Sequence, residues 1–312
     1  MEMISGIRCS RHILAVSVVL LLLTGCNRDI TPHRFIHKAV SLMDKSALFA
    51  EGPLWETAKS QALSSTPETM DEAHAIVGKA LETAGGKHSF LMERSMVQYY
   101  DTVQWRMPVI DMTEDSVLVI TVPDFSGNEA QAKQYAHTIQ DGISPDVRRV
   151  ILDLRGNTGG NMYPMIAGVN ALLPDGIILK FRQRNGRESN LTAEYIAKVQ
   201  GVERKTTISP KIAILTDGET ASSGEALLIC FRGLSNVRTF GSPTAGYASA
   251  NRIFDMGDGT RLVITTSCDV ARTGEVFCDD PIVPDSLTDE PMDAALEWLH
   301  KDVHGSGPYI TQ

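Results

Sequence analysis

Val150-Ile151-Leu152-Asp153-Leu154 is an apolar strand that runs straight into Arg155-Gly156-Asn157-Thr158-Gly159-Gly160, after which a helix begins. A strand feeding a glycine-rich turn and then a helix is the repeating unit of a sheet flanked by helices. The unit recurs. Strands are predicted at 116–122, 147–154, 176–181, 212–215, 237–240 and 261–266. Helices are predicted at 129–141, at 162–173 and from 223 onward. This order predicts an α/β (α+β) fold built on a mixed or parallel sheet. A C-terminal helix over 291–301, bearing Ala294, Leu296, Trp298 and Leu299, is expected to pack on the sheet. Functional residues in such folds gather at strand ends and on the loops that follow.

The region before the sheet reads as helical over about 31–86. Thr66-Pro67-Glu68 offers an N-cap with proline at the first helical position. Ile76, Val77, Ala80, Leu81 and Ala84 then form one apolar face, and Gly85-Gly86 ends the helix. The predicted organisation is a leader over 1–25, a helical subdomain over 26–100 and a core over 101–305.

The leader carries Arg8 and Arg11, then an apolar stretch over 13–23 that is too short to span a bilayer. It ends in Leu23-Thr24-Gly25-Cys26, which resembles a bacterial lipobox. That resemblance implies cleavage before Cys26, lipidation of its thiol and attachment to the membrane without a spanning helix. Asn27 after the cysteine resembles outer-membrane sorting in Gram-negative lipoproteins. The expected location is the bacterial cell envelope. Formal net charge is −9, and loss of the leader, with one net positive charge, leaves −10. An acidic chain without basic runs argues against nucleic-acid partners. Cys268 and Cys278 flank the turn-like Arg272-Thr273-Gly274 and are candidates to pair across a hairpin in an oxidising compartment. Cys230 follows an apolar helical run and reads as a buried small hydrophobe. No Cys/His cluster has zinc spacing, and no cofactor is expected.

A second motif, Thr220-Ala221-Ser222-Ser223-Gly224-Glu225, lies between the strand Lys211-Ile212-Ala213-Ile214-Leu215-Thr216 and the apolar helical run Ala226-Leu227-Leu228-Ile229. It places serines at a helix N-terminus, where free N–H groups favour negative charge. A nucleophilic serine needs that setting, because attack on a carbonyl creates an oxyanion. Serine is equally an ordinary N-cap, and the residues alone leave both readings open. Likewise, Gly159 and Gly160 are candidate oxyanion donors or the glycines of a tight strand-to-helix turn. Asp153 and Arg155 share a strand face and read as a structural ion pair.

Together these motifs resemble the tail-specific, C-terminal processing serine peptidases of the S41 type. Leu152 to Gly160 is similar to their "DLRGNxGG" signature and Thr220 to Glu225 to their serine motif. Gly241-Ser242-Pro243-Thr244-Ala245-Gly246 is similar to their "GxPTxG" loop, and Pro284-Asp285 to their late "PD". The order is kept, and the likeness covers about residues 40 to 300. It implies Ser222 as nucleophile, with Gly159, Gly160 and Ser223 as oxyanion donors. Many members use a lysine just after the "PTxG" loop, but Tyr247 stands there, and tyrosine is a poor base near neutral pH. The branch similar to the tricorn core and the nisin-resistance peptidases uses an upstream histidine instead. Gly85-Gly86-Lys87-His88-Ser89-Phe90 occupies that place, so His88 becomes the candidate base. Lys87 is a lesser alternative. For a third group, Glu225, Glu275, Asp279 and Asp280 remain candidates, each also suited to structural ion pairing. The resemblance further implies a substrate bound in extended form and cut near its C-terminus. No separate PDZ domain is visible, so tail selection is assigned to the groove between the helical part and the sheet. The substrate expected is a cell-envelope protein or a lantibiotic-like peptide. The alternative of another class is an inactive peptide- or ligand-binding protein on the same fold.

Overall fold

The computed structural model describes residues 30–102 and 105–301. The leader and Cys26 lie outside them. Three helices come first, α1 (Pro32–Ser46), α2 (Gly52–Ser64) and α3 (Met70–Gly85). In α1, Phe35, Ile36, Ala39, Val40 and Met43 recur every three or four residues and bury one face. With Trp55, Val77, Ala80 and Leu81 they form a core that Met256, Leu262 and Ile264 complete from the sheet. α3 starts at Met70 and not at Pro67. Its cap is Thr69, which accepts the Glu72 N–H at 3.2 Å, while the Glu72 carboxylate accepts the Glu68 N–H at 2.7 Å. This pair serves two donors at the helix start, which moves the boundary past Thr66. Gly86, at φ 66°, ends α3.

The remaining helices are α4 (Arg94–Thr102), α5 (Glu129–Gly142), α6 (Met162–Gly168), α7 (Ala193–Gln200), α8 (Ser223–Cys230) and α9 (Pro291–His300). The strands are β1 (Phe90–Met92), β2 (Val109–Met112), β3 (Leu118–Thr121), β4 (Arg149–Asp153), β5 (Ile177–Gln183), β6 (Glu188–Thr192), β7 (Lys211–Thr216), β8 (Val237–Gly241), β9 (Ser249–Asp255), β10 (Arg261–Ala271), β11 (Val276–Phe277) and β12 (Ser286–Leu287). The helix expected over 162–173 is α6 followed by a 3₁₀ turn, Asn170–Leu172. Asn170 gives its side-chain amide to the Glu203 carbonyl at 3.0 Å, which ties that turn elsewhere.

The fold is mixed α/β, and its strands divide between two sheets. One has the order β12-β8-β7-β4-β3-β2 and is parallel except for β2. Period-two alternation decides what covers it. Val150 and Leu152 of β4 face the core shared with α5, α6 and α8, whereas Ile151 faces Ala295 and Leu299 of α9. The other sheet is antiparallel and centred on β10, which pairs with β1, β5, β9 and β11. Its strands β5–β6 and β9–β10 are local hairpins, and this is why they leave the parallel series. Cys268 and Cys278 are joined in a disulfide beside the β10–β11 pairing, with Cα atoms 4.8 Å apart. Cys230 is free and buried.

Candidate active site

The site begins where β4 and β7 end side by side. Their parallel pairing carries Leu154-Arg155-Gly156-Asn157 and Asp217 to Ser222 out at the same sheet edge. Hydrogen bonds stitch these loops together. Thr220 Oγ1 donates to the Leu154 carbonyl at 2.9 Å, and the Ala221 N–H to the Asn157 carbonyl at 2.9 Å. The Asp217 carboxylate accepts the Gly156 N–H at 3.0 and 3.1 Å. Asp153 and Arg155 form the ion pair expected of them, at 2.6 and 2.8 Å.

Ser222 sits at the resulting corner with φ 51° and ψ −111°, in a region that a residue with a Cβ rarely adopts. It stands at the N-cap of α8 in a capping-box arrangement, with the Glu225 side chain reaching back to its N–H. Glu225 is the group that holds the corner. Fully buried, it accepts the Ser222 N–H at 2.9 Å and the Tyr247 N–H at 2.7 Å on Oε2. Its Oε1 accepts the Gly246 N–H at 2.9 Å and the Thr244 hydroxyl. One carboxylate thus serves four donors from the serine corner and the loop after β8. It pairs with neither His88 nor an arginine, because its oxygens are already spoken for.

Gly159 and Gly160 lie against this corner at φ 110° and 98°. A Cβ on Gly159 would stand 2.8 Å from the Ser222 Cβ, and one on Gly160 would stand 2.1 Å from the Phe125 carbonyl oxygen. The Gly159 N–H is taken by Asn157 Oδ1 at 3.0 Å, which removes it from the expected donors. The N–H groups of Gly160 and Ser223 have no partner among the described residues. Ser223 Oγ donates to the Gly160 carbonyl at 2.7 Å and locks the glycine strand to the start of α8.

His88 arrives from the opposite side. The Gly86 turn leads out of α3. Ser89 Oγ donates to the Gly85 carbonyl at 2.9 Å and accepts the Thr265 N–H at 2.8 Å, which fixes the turn to β10. His88 Nδ1 then lies 2.9 Å from Ser249 Oγ, and its ring meets Tyr247 edge-on at 5.1 Å. Burial, followed by the neighbouring positive charge of Lys87, lowers the His88 pKa to about 4. Lys87 turns its amine to the Tyr247 ring, at 4.6 Å, and to the Ala245 carbonyl, at 3.4 Å.

The acids fall in different places. Glu275 pairs with Arg232 at 2.9 and 3.1 Å. The 279–281 loop packs on Gly86 and Gly246: a Cβ on Gly86 would meet Asp279 Oδ2 at 2.8 Å, and one on Gly246 would meet the Asp280 backbone at 2.9 Å. Asp279 Oδ1 is buried without a partner among the described residues, and burial raises the pKa of this acid. Ser222, Ser223, Gly159, Gly160 and Ser249 all line one cleft of about 570 Å³. Ser249 is the residue that sequence reasoning passed over. It lies in the Gly246-Tyr247-Ala248-Ser249-Ala250-Asn251 run but becomes visible as a histidine partner only when β9 is placed.

Residues 116–288 match peptidase family S41. The chain belongs to that family. It is a serine-type hydrolase. The nisin-resistance protein of Lactococcus lactis subsp. lactis is 31% identical over 283 residues, covering 88% of each chain. The carboxy-terminal processing protease CtpA of Bacillus subtilis is 28% identical over 65% of this chain, but this chain spans only 41% of that protein's length. Among solved structures, a lipoprotein from Streptococcus agalactiae superposes with a TM-score of 0.79 at 31% identity, over 86% of this chain and 96% of that one. The photosystem II D1 C-terminal processing protease shares the fold, with a TM-score of 0.60 at 12% identity.

Proposed function

We propose that this S41 chain is a peptidase that cuts peptides or protein tails near the C-terminus, with Ser222 as nucleophile and His88 as base. The observation that carries this reading is the strained Ser222 corner at the start of α8, beside which the N–H groups of Gly160 and Ser223 have no partner among the described residues. With Nδ1–H donated to Ser249, the Nε2 lone pair of His88 is left to take the proton from Ser222 Oγ. Ser222 attacks the scissile carbonyl, and the Gly160 and Ser223 N–H groups hold the oxyanion at the positive end of α8. His88 passes its proton to the leaving amine. It then takes one from water, which releases the acyl group as a carboxylic acid. Asp279 is the late acid that packs on the Gly86 turn, two residues before His88, and Ser249 is the direct partner of the ring. Strand β9 pairs only with β10 among the described residues and sends Ala250, Asn251 and Ile253 into the cleft. An extended peptide added to such an edge would bind by main-chain hydrogen bonds.

The leader pattern supports lipidation at Cys26 and a place on the cell envelope, with the helical subdomain over 26–100 presenting the base and the core over 101–305 the nucleophile. The nisin-resistance relative supports a lantibiotic-like peptide as substrate, with cell-envelope proteins as the other class. A fluorophosphonate probe tests the nucleophile: wild type should label at Ser222 and Ser222→Ala should not, and equal labelling of both would sink the assignment. Mass spectrometry of cleaved envelope peptides, with Ser222→Ala as control, identifies the substrate and the cut.

A further inference from the structure

Asp269 is a buried acid that the mechanism above leaves idle. It lies on β10, is 2% exposed, and lines the same cleft as Ser222. Directly across the strands stand Phe181 of β5 and Phe277 of β11, so the carboxyl is held between two phenyl-bearing positions on one sheet face. Its Oδ1 has no hydrogen-bond partner among the described residues. Buried polar atoms are as a rule hydrogen-bonded, so this oxygen is available to a partner. Burial and then the like charge of Glu225 push the Asp269 pKa up to about 8.

The helix above it gives the scale. Ala226 also lines the cleft and lies one turn beyond Ser222 on the same face of α8, about 5–6 Å along the axis. Cys230, a further turn on, is close enough to Asp269 for the acid to help raise its thiol pKa. Ser222 and Ala226 therefore mark a path from the nucleophile toward the carboxyl, with a methyl group on one side and Phe181 on the other. Ser222, Ala226, Phe181 and Asp269 line this one cleft, so a side chain next to the attacked carbonyl can extend past Ala226 and Phe181 toward the carboxyl.

We propose that Asp269 closes the pocket for the side chain on the acyl side of the cleaved bond and selects a basic residue there. The proposal rests on Ser222 being the nucleophile. Phe181 and Ala226 take the methylene stem, and the carboxylate takes the charged head. A cation entering this pocket meets the combined field of Asp269 and Glu225. Most other side-chain charges near the acid are already paired. Lys180 and Arg182, beside Phe181, are bonded to Glu188 at 3.2 and 2.8 Å, and Glu275 is bonded to Arg232. Arg272 is held by the Cys230 carbonyl, to which it donates at 2.7 Å, and its Nε is buried without a partner among the described residues. The pocket is thus left for a cation supplied by the substrate.

The test uses the full chain and matched fluorogenic peptides that differ only at the residue before the cut: lysine, arginine, glutamine or leucine. Wild type should cleave the lysine or arginine peptide faster than the leucine peptide by about tenfold or more in kcat/KM, a size typical of a single-pocket preference. That ratio should climb as pH rises through about 8, because the carboxyl must ionise to hold the cation. Asp269→Asn, close in shape, and Asp269→Leu should each collapse the ratio and flatten its pH dependence. An unchanged ratio in both variants overturns the proposal. So does an equal loss with every peptide, which would mark a structural role, or a wild-type preference for glutamine, which would mark a neutral hydrogen-bonding pocket. Labelling of Ser222 by the fluorophosphonate separates the two readings. If wild type labels but shows no basic preference, only the pocket assignment fails. If neither labelling nor cleavage occurs, the peptidase reading fails and the pocket falls with it.

Discussion

His88 Nδ1 and Ser249 Oγ are 2.9 Å apart, and this hydroxyl stands where a carboxylate often steers a catalytic histidine. A hydroxyl orients the ring without adding a negative charge to it. That leaves burial unopposed, and the low pKa of His88 follows.

Ser249→Ala should therefore lower kcat by about tenfold, about 1.4 kcal/mol of barrier, with little change in KM. Ser249→Thr retains the hydroxyl and should recover most of the loss. Steady-state kinetics of the three proteins decide it. If Ala and wild type share the same kcat, Ser249 does not position the ring.

The pH profile follows from His88 itself. The neutral ring is the base, so kcat/KM should persist in acid and fall only as pH drops through about 4. The stability consequence has the opposite origin. Between about 6.5 and 4 the unfolded chain takes up a proton that the folded chain refuses. Stability from this group thus rises with pH across that window, by up to about 3 kcal/mol, and is level above it. Urea titrations of wild type and His88→Gln over this range measure it. An equal pH slope in both would rule it out.

Glu225→Gln should cost about 3 kcal/mol or more. Each carboxylate oxygen serves two donors, so an amide must turn its NH₂ toward two of them in either orientation. Thermal denaturation reads the loss, and fluorophosphonate labelling should fall with it as the Ser222 corner relaxes. A variant as stable as wild type would contradict this account of the corner.

Gly160→Ala should abolish labelling at Ser222. Its Cβ would collide with the Phe125 carbonyl carbon and oxygen, atoms of a backbone that cannot rotate away. Gly78→Ala, whose Cβ meets nothing within 4 Å, is the control and should label as wild type does.

Opening the Cys268–Cys278 bridge should destabilise the fold by about 3 kcal/mol, the chain-entropy value for a short loop. Cys268→Ser/Cys278→Ser should show it as a lower midpoint in urea. No shift relative to wild type would mean that the bridge contributes nothing.

The parallel half of the fold was legible because each strand there is a local apolar run followed by its own turn and helix. The positions of Ser222, Gly159 and Gly160 were legible for the same reason, since strand-end loops in such a sheet converge. The antiparallel half was legible only in part: β5 and the start of β10 read as strands at 176–181 and 261–266, but β1, β6, β9 and β11 did not. β9 carries Arg252 and Asn251 among its apolar residues, and its partner is set by the hairpin at Gly257 and Gly259, not by its own pattern. What depends on β9 and on the far end of β10 was hidden with them: Ser249 as a histidine partner, and Asp269 as a residue lining the cleft. The role of Glu225 was hidden differently. A glutamate one turn past a serine looks like a helix-facing acid, and only the closed loop at Thr244 to Tyr247 shows what its two oxygens hold.

That loop gives the molecule an order of assembly. The strain at Ser222 is sustained by Glu225, and Glu225 is saturated only by residues about twenty positions further along the chain. Until Thr244, Gly246 and Tyr247 have docked, nothing compels the serine backbone into its unfavourable angle. A partly folded chain thus carries the nucleophile's atoms without its geometry, and reactivity is switched on by completion of the fold.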